Sequence, residues 1–402
     1  MIHFLKKIKQ HLIFSKKSLL IGILCFILNG CSEKPQPSIH EEKIPAPLIE
    51  TSFIKESSQH PTLPSIFKVA LLLPLTGDKQ ELGEAILKGA ELRFFNQKSY
   101  ALELFPIDIQ AKEPNGKEIG VLKALSNLLE SNDIDLILGP LMADDVAEIT
   151  PLAWGKGIPI ISFSNIPQVA GDNVFIMGFS PEDQIKKTVD YALSQNITQF
   201  LAIVPLGEYG KLIVQALRQR LYSSSNAKLK DVIYYDPNGI DLDEKLKTID
   251  LKDIQAIVIP EGGTRLLQIV AFLAQDPLYQ TIKPRLIGSG QWDEKSIFQN
   301  HLLQGAWFGG TKSSQWDKFS QAYQTAYGSE PPRLSSLGYD ALMVAASVAD
   351  QPQKAVSQSL LRPQGFEGVE GKFSFTPQGH IVREWHVFEI DSRVPHFYKQ
   401  ID

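Results

Sequence analysis

"KVALLLPLTGDKQELGEAILKGAELRF", Lys68–Phe94, sets the architecture. Val69 to Leu73 is unbroken apolar sequence, the mark of a strand buried on both faces. A Pro-Leu-Thr-Gly turn follows, and then Leu82, Ile86, Ala90 and Phe94 recur at helical spacing. Outward from it the rhythm repeats. "LELFPID" (102–108) is a strand and "IGVLKALSNLLES" (119–131) a helix. "DLILGP" (135–140), "ADDVAEITPLAW" (143–154) and "PIISFSN" (159–165) continue the series. Such alternation predicts a parallel sheet flanked by helices.

The rhythm starts afresh after "QIKKTVDYALSQN" (184–196). "QFLAIVP", "YGKLIVQALRQRL", "VIYYD", "IQAIVIP", "TRLLQIVAFLAQD" and "PRLIGSG" run from Gln199 to Gly290. Two sets of βα units in a body of about 330 residues are more than one core usually holds. The fold class expected is α/β, with two doubly wound parallel-sheet lobes and a cleft between them. The tail differs. "WDKFSQAYQTAYG" and "LGYDALMVAASVAD" are helical, and "VEGKFSFTPQGHIVREWHVFEID" (369–391) reads as a hairpin turning at Pro377-Gln378-Gly379.

The first residues carry an address. Lys6, Lys7, Lys9, Lys16 and Lys17 precede an apolar run, Leu19–Leu28, too short to span a bilayer as a helix. Leu-Asn-Gly-Cys at 28–31 resembles a bacterial lipobox, which implies cleavage after residue 30 and lipid on Cys31. An ordinary signal peptide or an uncleaved anchor are the alternatives. Ser32, where an Asp would imply retention at the inner membrane, points to the outer membrane. The segment 31–66 is rich in Pro, Glu, Lys and Ser and reads as a disordered tether. Of the two cysteines, Cys25 leaves with the signal, so the mature chain holds no disulfide. Loss of five lysines takes the formal charge from −5 to −10. An acidic body gives no footing for nucleic acid.

The ordered set of motifs resembles the type I periplasmic binding proteins, leucine-binding branch. "VALLLPLTGDKQELGEAILKGAELRF", "LILGP", "PIISFSN", "EYGKLIVQAL" and "IGSGQW" stand in that family's order. Gly-Gln-Trp at 290–292, Arg333-Leu334 with Leu-Gly-Tyr-Asp-Ala to 341, and Phe-Glu-Gly-Val-Glu-Gly at 366–371 resemble one subgroup, the penicillin-binding-protein activator lipoproteins of the Lpo type. This implies a binding-protein domain over 67–395, with lobe 1 at about 67–181 and 309–365 and lobe 2 at about 182–308 and 366–395. The tether stands where longer members carry a helical-repeat domain.

Catalytic motifs are missing. There is no His-Glu-x-x-His, Gly-x-Ser-x-Gly, Ser-x-x-Lys set or P-loop. Gly288-Ser289-Gly290 reads as a strand-end turn, His380 as a turn residue, and Asp144-Asp145 as helix-start acids. The expectation is a protein that is not an enzyme, with no cofactor and no metal. The resemblance places a ligand cleft at the C-terminal strand ends, with Thr76, Ala143, Ser162, Ser164, Tyr209, Glu261, Gln291 and Trp292 as candidates. For each, helix capping or cleft packing is the competing role. In amino-acid receptors of this fold, hydroxyls hold the carboxylate and an acid holds the ammonium. Here the first-lobe serine position falls on Ala143, and Phe163 and Trp292 add apolar surface. Two functions follow: a lipid-anchored regulator that contacts a peptidoglycan synthase, or an amino-acid receptor for a membrane permease. Both place the body on the periplasmic face of the cell envelope.

Overall fold

Residues 66–96 and 102–402 are described here, from a computed structural model. The expected signal, Cys31 and the tether up to residue 65 lie outside the described residues. β1 (Phe67–Leu73) leads into α1 (Gln80–Asn96), then β2 (Leu102–Asp108), α2 (Val121–Ser131), β3 (Leu136–Leu138), α3 (Ala143–Gly155), β4 (Ile160–Ser162) and β5 (Val174–Ile176). The five strands form one sheet, ordered β2-β1-β3-β4-β5, and every pairing is parallel. β1 serves both faces. Val69, Leu71 and Leu73 enter one core, while Ala70 and Leu72 enter the other against α2 and α3, as alternation along a strand requires. β2 lies at the edge, where its Pro106 removes no ladder bond.

The chain then crosses to the second lobe through Met177–Ser180. α4 (Pro181–Ser194) is followed by β6 (Gln199–Pro205), α5 (Glu208–Tyr222), β7 (Lys228–Tyr235), α6 (Leu242–Leu246), β8 (Ala256–Val258), α7 (Gly263–Leu273), α8 (Pro277–Ile282), β9 (Arg285–Gly288), α9 (Lys295–Phe298) and β10 (Trp307–Gly310). β6 again divides its residues. Leu201 and Ile203 go to one core, and Phe200, Ala202 and Val204 to the other. After a second crossing the chain returns to lobe 1 with α10 (Gln315–Tyr327), α11 (Ser335–Val348), α12 (Gln353–Leu360) and an antiparallel set, β11 (Phe366–Gly368), β12 (Gly371–Phe375) and β13 (Ile381–Arg383). A third crossing delivers β14 (His386–Ile390) and β15 (Tyr398–Gln400) to lobe 2, antiparallel at the edge of the sheet β15-β14-β10-β9-β8-β6-β7.

α1 and α11 meet through two glycines. A Cβ at Gly89 would fall 1.7 Å from the Ser335 carbonyl oxygen, and one at Gly338 would fall 2.0 Å from that of Ile86. Backbone therefore touches backbone along the inner side of lobe 1, which explains the Gly-Ala pair inside the first helix.

One boundary differs from the sequence reading. Residues 366–383 belong to lobe 1, not lobe 2. Phe366, Phe373 and Phe375 join Leu337 and Ala341 in the lobe 1 core, and the Ile176 N–H bonds the Gly379 carbonyl at 2.8 Å. Period-2 alternation gives a hairpin's two faces but not which sheet it covers. The turn itself falls where expected, with Gly379 N–H donating to Thr376.

Candidate functional site

The C-terminal ends of both sheets face a cleft of about 780 Å³. Its lobe 2 wall starts from the α5 N-terminus. Tyr209 donates its hydroxyl hydrogen to the Pro260 carbonyl (2.9 Å) and accepts from Gln291 Nε2 (2.8 Å). Burial, helped by the negative charge of Glu261, pushes the phenol up to about 12. Tyr209 is thus a neutral strut that ties two loops of its own lobe.

On the lobe 1 wall, Ala143 opens α3 without a hydroxyl, and the preceding Met142 gives the helix no side-chain cap. Ser164 lines the cleft, but its Oγ accepts the Ile166 N–H at 3.2 Å. Phe163 and Leu141 make this wall apolar. The structure therefore brings Ala143, Ser164, Tyr209 and Gln291 together at one cleft.

The other four candidates stand elsewhere. Ser162 is fully buried, donating to the Pro140 carbonyl (2.9 Å) and accepting from Ser164 N–H (3.0 Å). Thr76 is exposed at the end of β1 and donates to Asp108 Oδ2 at 2.8 Å. Trp292 is wholly inside the lobe 2 core, so close under Gly288 that a Cβ there would meet the indole at 2.1 Å. Glu261 stands behind the lining residues Gly262 and Gly263. Burial raises its carboxyl, and the Tyr235 hydroxyl faces it without completing a hydrogen bond. Sequence order placed these residues on the right loops but could not tell which way each side chain turns.

A charged cluster at the hinge end of the cleft carries no role in the sequence reading. Arg333, in the loop before α11, donates from Nη1 to Asp293 Oδ2 (2.7 Å) and from Nη2 to Thr311 Oγ1 (2.8 Å) and Glu370. Glu370 has no exposed surface and also accepts from Ser336 Oγ at 2.7 Å. The guanidinium lies 4.1 Å from the Trp316 ring centroid, a cation–π stack. Burial works against the charge of Arg333, but Glu370 and Asp293 outweigh it and hold the pKa above the ordinary value. Burial raises Asp293. Next to this cluster, burial pushes Asp340 up to about 7 while its Oδ1 accepts the Val369 N–H at 2.8 Å. Arg333, Asp340 and Glu370 all fall in the subgroup motifs of the sequence, so the signal was there without its meaning. Among the described residues, no group of three or more His, Cys, Asp or Glu side chains is placed to hold a metal ion. No helix among them is long and apolar enough to cross a membrane.

Two α/β lobes linked by three crossovers around a cleft define the two-lobed binding proteins. The chain belongs to the periplasmic binding protein family, whose pattern matches residues 67–394. It is similar to a penicillin-binding protein activator LpoA of Histophilus somni, 22% identical over 347 residues, which are 82% of this chain and 55% of that one. It is also similar to an uncharacterized protein of Rickettsia prowazekii, 27% identical over 45% of this chain and 47% of that one. The chain thus spans about half the length of these relatives. Among solved structures, an ABC transporter substrate-binding protein from Sphaerobacter thermophilus superposes with a TM-score of 0.69 at 19% identity, covering 83% of this chain and 96% of that one. This likeness establishes the fold.

Proposed function

We propose that this protein is a lipid-anchored regulator of the cell envelope, of the penicillin-binding-protein activator type, which contacts a peptidoglycan synthase and carries out no reaction itself. The observation that carries this reading is the state of the cleft. The groups an amino-acid receptor turns toward its ligand are engaged within their own lobes here. Ser162 bonds Pro140, Tyr209 bonds Pro260 and Gln291, and Glu261 stands behind the lining beside Tyr235. Ala143 has no hydroxyl to offer. Of the acids that line the cleft, Asp293 is already paired with Arg333 at 2.7 Å. The similarity to proteins named LpoA supports the same reading.

The lipidated Cys31 and the tether would hold the body away from the membrane surface, and Ser32 favours the outer membrane. A second reading, a solute receptor of an ABC transporter, draws on the size of the cleft, since about 780 Å³ is ample for a small polar ligand. A pull-down from detergent-solubilised envelope, with the mature protein as bait, separates the two. A peptidoglycan synthase in the eluate supports the regulator, and a permease overturns it. Fatty-acid labelling of the Cys31→Ser chain tests the anchor: label that persists excludes Cys31 as the acceptor.

A further inference from the structure

We propose that Arg333 is an interlobe clasp, which draws the two lobes together without a ligand bridging them. Two short segments meet across the cleft at its hinge end. The lobe 1 loop before α11 carries Glu330 and Arg333, and the lobe 2 segment before and into α9 carries Asp293 and Lys295. Arg333 pairs with Asp293 at 2.7 Å, and Lys295 with Glu330 at 3.8 Å. Each segment contributes one acid and one base to the two pairs, so a single docking satisfies both.

The two pairs are unequal. Lys295 and Glu330 are 62% and 70% exposed, which leaves their attraction largely screened. Arg333 and Asp293 are only 19% and 20% exposed. Arg333 is also fixed before it reaches Asp293. Glu370, Thr311 and the Trp316 ring hold its plane from the lobe 1 side and the hinge. Nη1 is left aimed at lobe 2, so closure immobilises no further long side chain. In a two-lobed receptor the ligand supplies the differential affinity that favours closure. Here the covalent chain supplies it. Because Arg333 and Asp293 both line the cleft, the clasp occupies part of the space a ligand would use. This holds whichever partner the protein meets.

Distance measurement by double electron–electron resonance tests it in the full chain carrying Cys25→Ser and Cys31→Ser. Spin labels go at Asp78→Cys, exposed beyond β1, and Glu208→Cys, exposed at the start of α5. The expected result is one narrow distance population, which Asp293→Asn shifts to longer distance. That variant leaves Glu370 paired with Arg333, so the lobe 1 core keeps its charge balance. Arg333→Lys, which keeps the charge but loses the fork, should give a smaller shift in the same direction and serves if Asp293→Asn does not fold. Lys295→Ala should shift nothing. A broad parent distribution, no shift in either clasp variant, or an equal shift in Lys295→Ala would overturn the proposal.

Discussion

The two walls of the cleft are built on the same sheet plan and commit their polar groups differently. Lobe 1 presents Leu82, Leu141, Phe163, Leu334 and Leu337, with Asp144, Ser164, Asn165 and Arg333 among them. Lobe 2 presents Gln184, Tyr209, Ser289 and Gln291, with Asp293 and Glu294 at the rim. The lobe 2 strut of Tyr209 and Gln291 closes on Pro260 within its own lobe. Lobe 1 satisfies its buried acid, Glu370, with the same arginine that reaches across. Neutral groups that bond inward make a rigid wall. A charge with one arm left over makes a wall that reaches for its neighbour.

Removing that charge should have the largest effect. Arg333→Met takes from the buried Glu370 its hydrogen-bonded cation and leaves it only the more remote charge of Arg383, and thermal or denaturant unfolding should show a loss of about 3–5 kcal/mol. A loss under about 1 kcal/mol would mean that Glu370 is protonated or finds another partner.

The second way to break lobe 1 is by pH. Burial raises Asp340 from 3.8 to about 7, with Arg383, Glu370 and the Val369 N–H facing it. The folded state then holds a proton that the unfolded chain has released. The contribution is fully present below pH ~4 and is lost as pH rises toward ~7, at no more than about 1.4 kcal/mol per pH unit. Denaturant titrations across that range should show the slope, and Asp340→Asn should remove it.

Lobe 2 should respond less. Tyr209→Phe removes the bond to Pro260 and the one from Gln291 and should cost about 1–2 kcal/mol. Lys295→Ala, at the exposed pair, should stay within about 0.5 kcal/mol. The smallest signal sharpens the contrast in another way. Titrating free leucine, isoleucine or valine into the protein should give no measurable heat, and a dissociation constant near or below about 1 μM for any amino acid would show that the walls can form a ligand clamp after all.

Much of the fold was legible because strands buried on both faces announce themselves. Val69–Leu73 and Phe200–Val204 were readable as central strands, and Pro377-Gln378-Gly379 as a turn. What the hairpin covers was not readable, since Phe373 and Phe375 would suit either core. Half of the candidate site was misdirected for a related reason. A residue's place on a loop follows from chain order, but the side on which Ser162 or Trp292 lies depends on neighbours far away in sequence. Trp292 needs Gly288 beneath it, and Ser162 needs the Pro140 carbonyl. Arg333 was visible only as a motif letter, because its three acceptors come from residues 293, 311 and 370.

A chain that crosses the hinge three times cannot finish either lobe early. The inner core of lobe 1 needs Leu337, Ala341, Phe366 and Phe373 from the far end of the sequence, and the lobe 2 sheet needs β14 and β15. When a ribosome has released residue 330, one face of the lobe 1 sheet still lacks α11 and β11–β13, and the lobe 2 sheet still has an open edge at β10. The two halves must therefore become cooperative together, after the last strands emerge. For most of its synthesis the nascent chain is a client for whatever binds exposed apolar sheet, and a truncation that removes β14 and β15 would disable the lobe that was made in the middle.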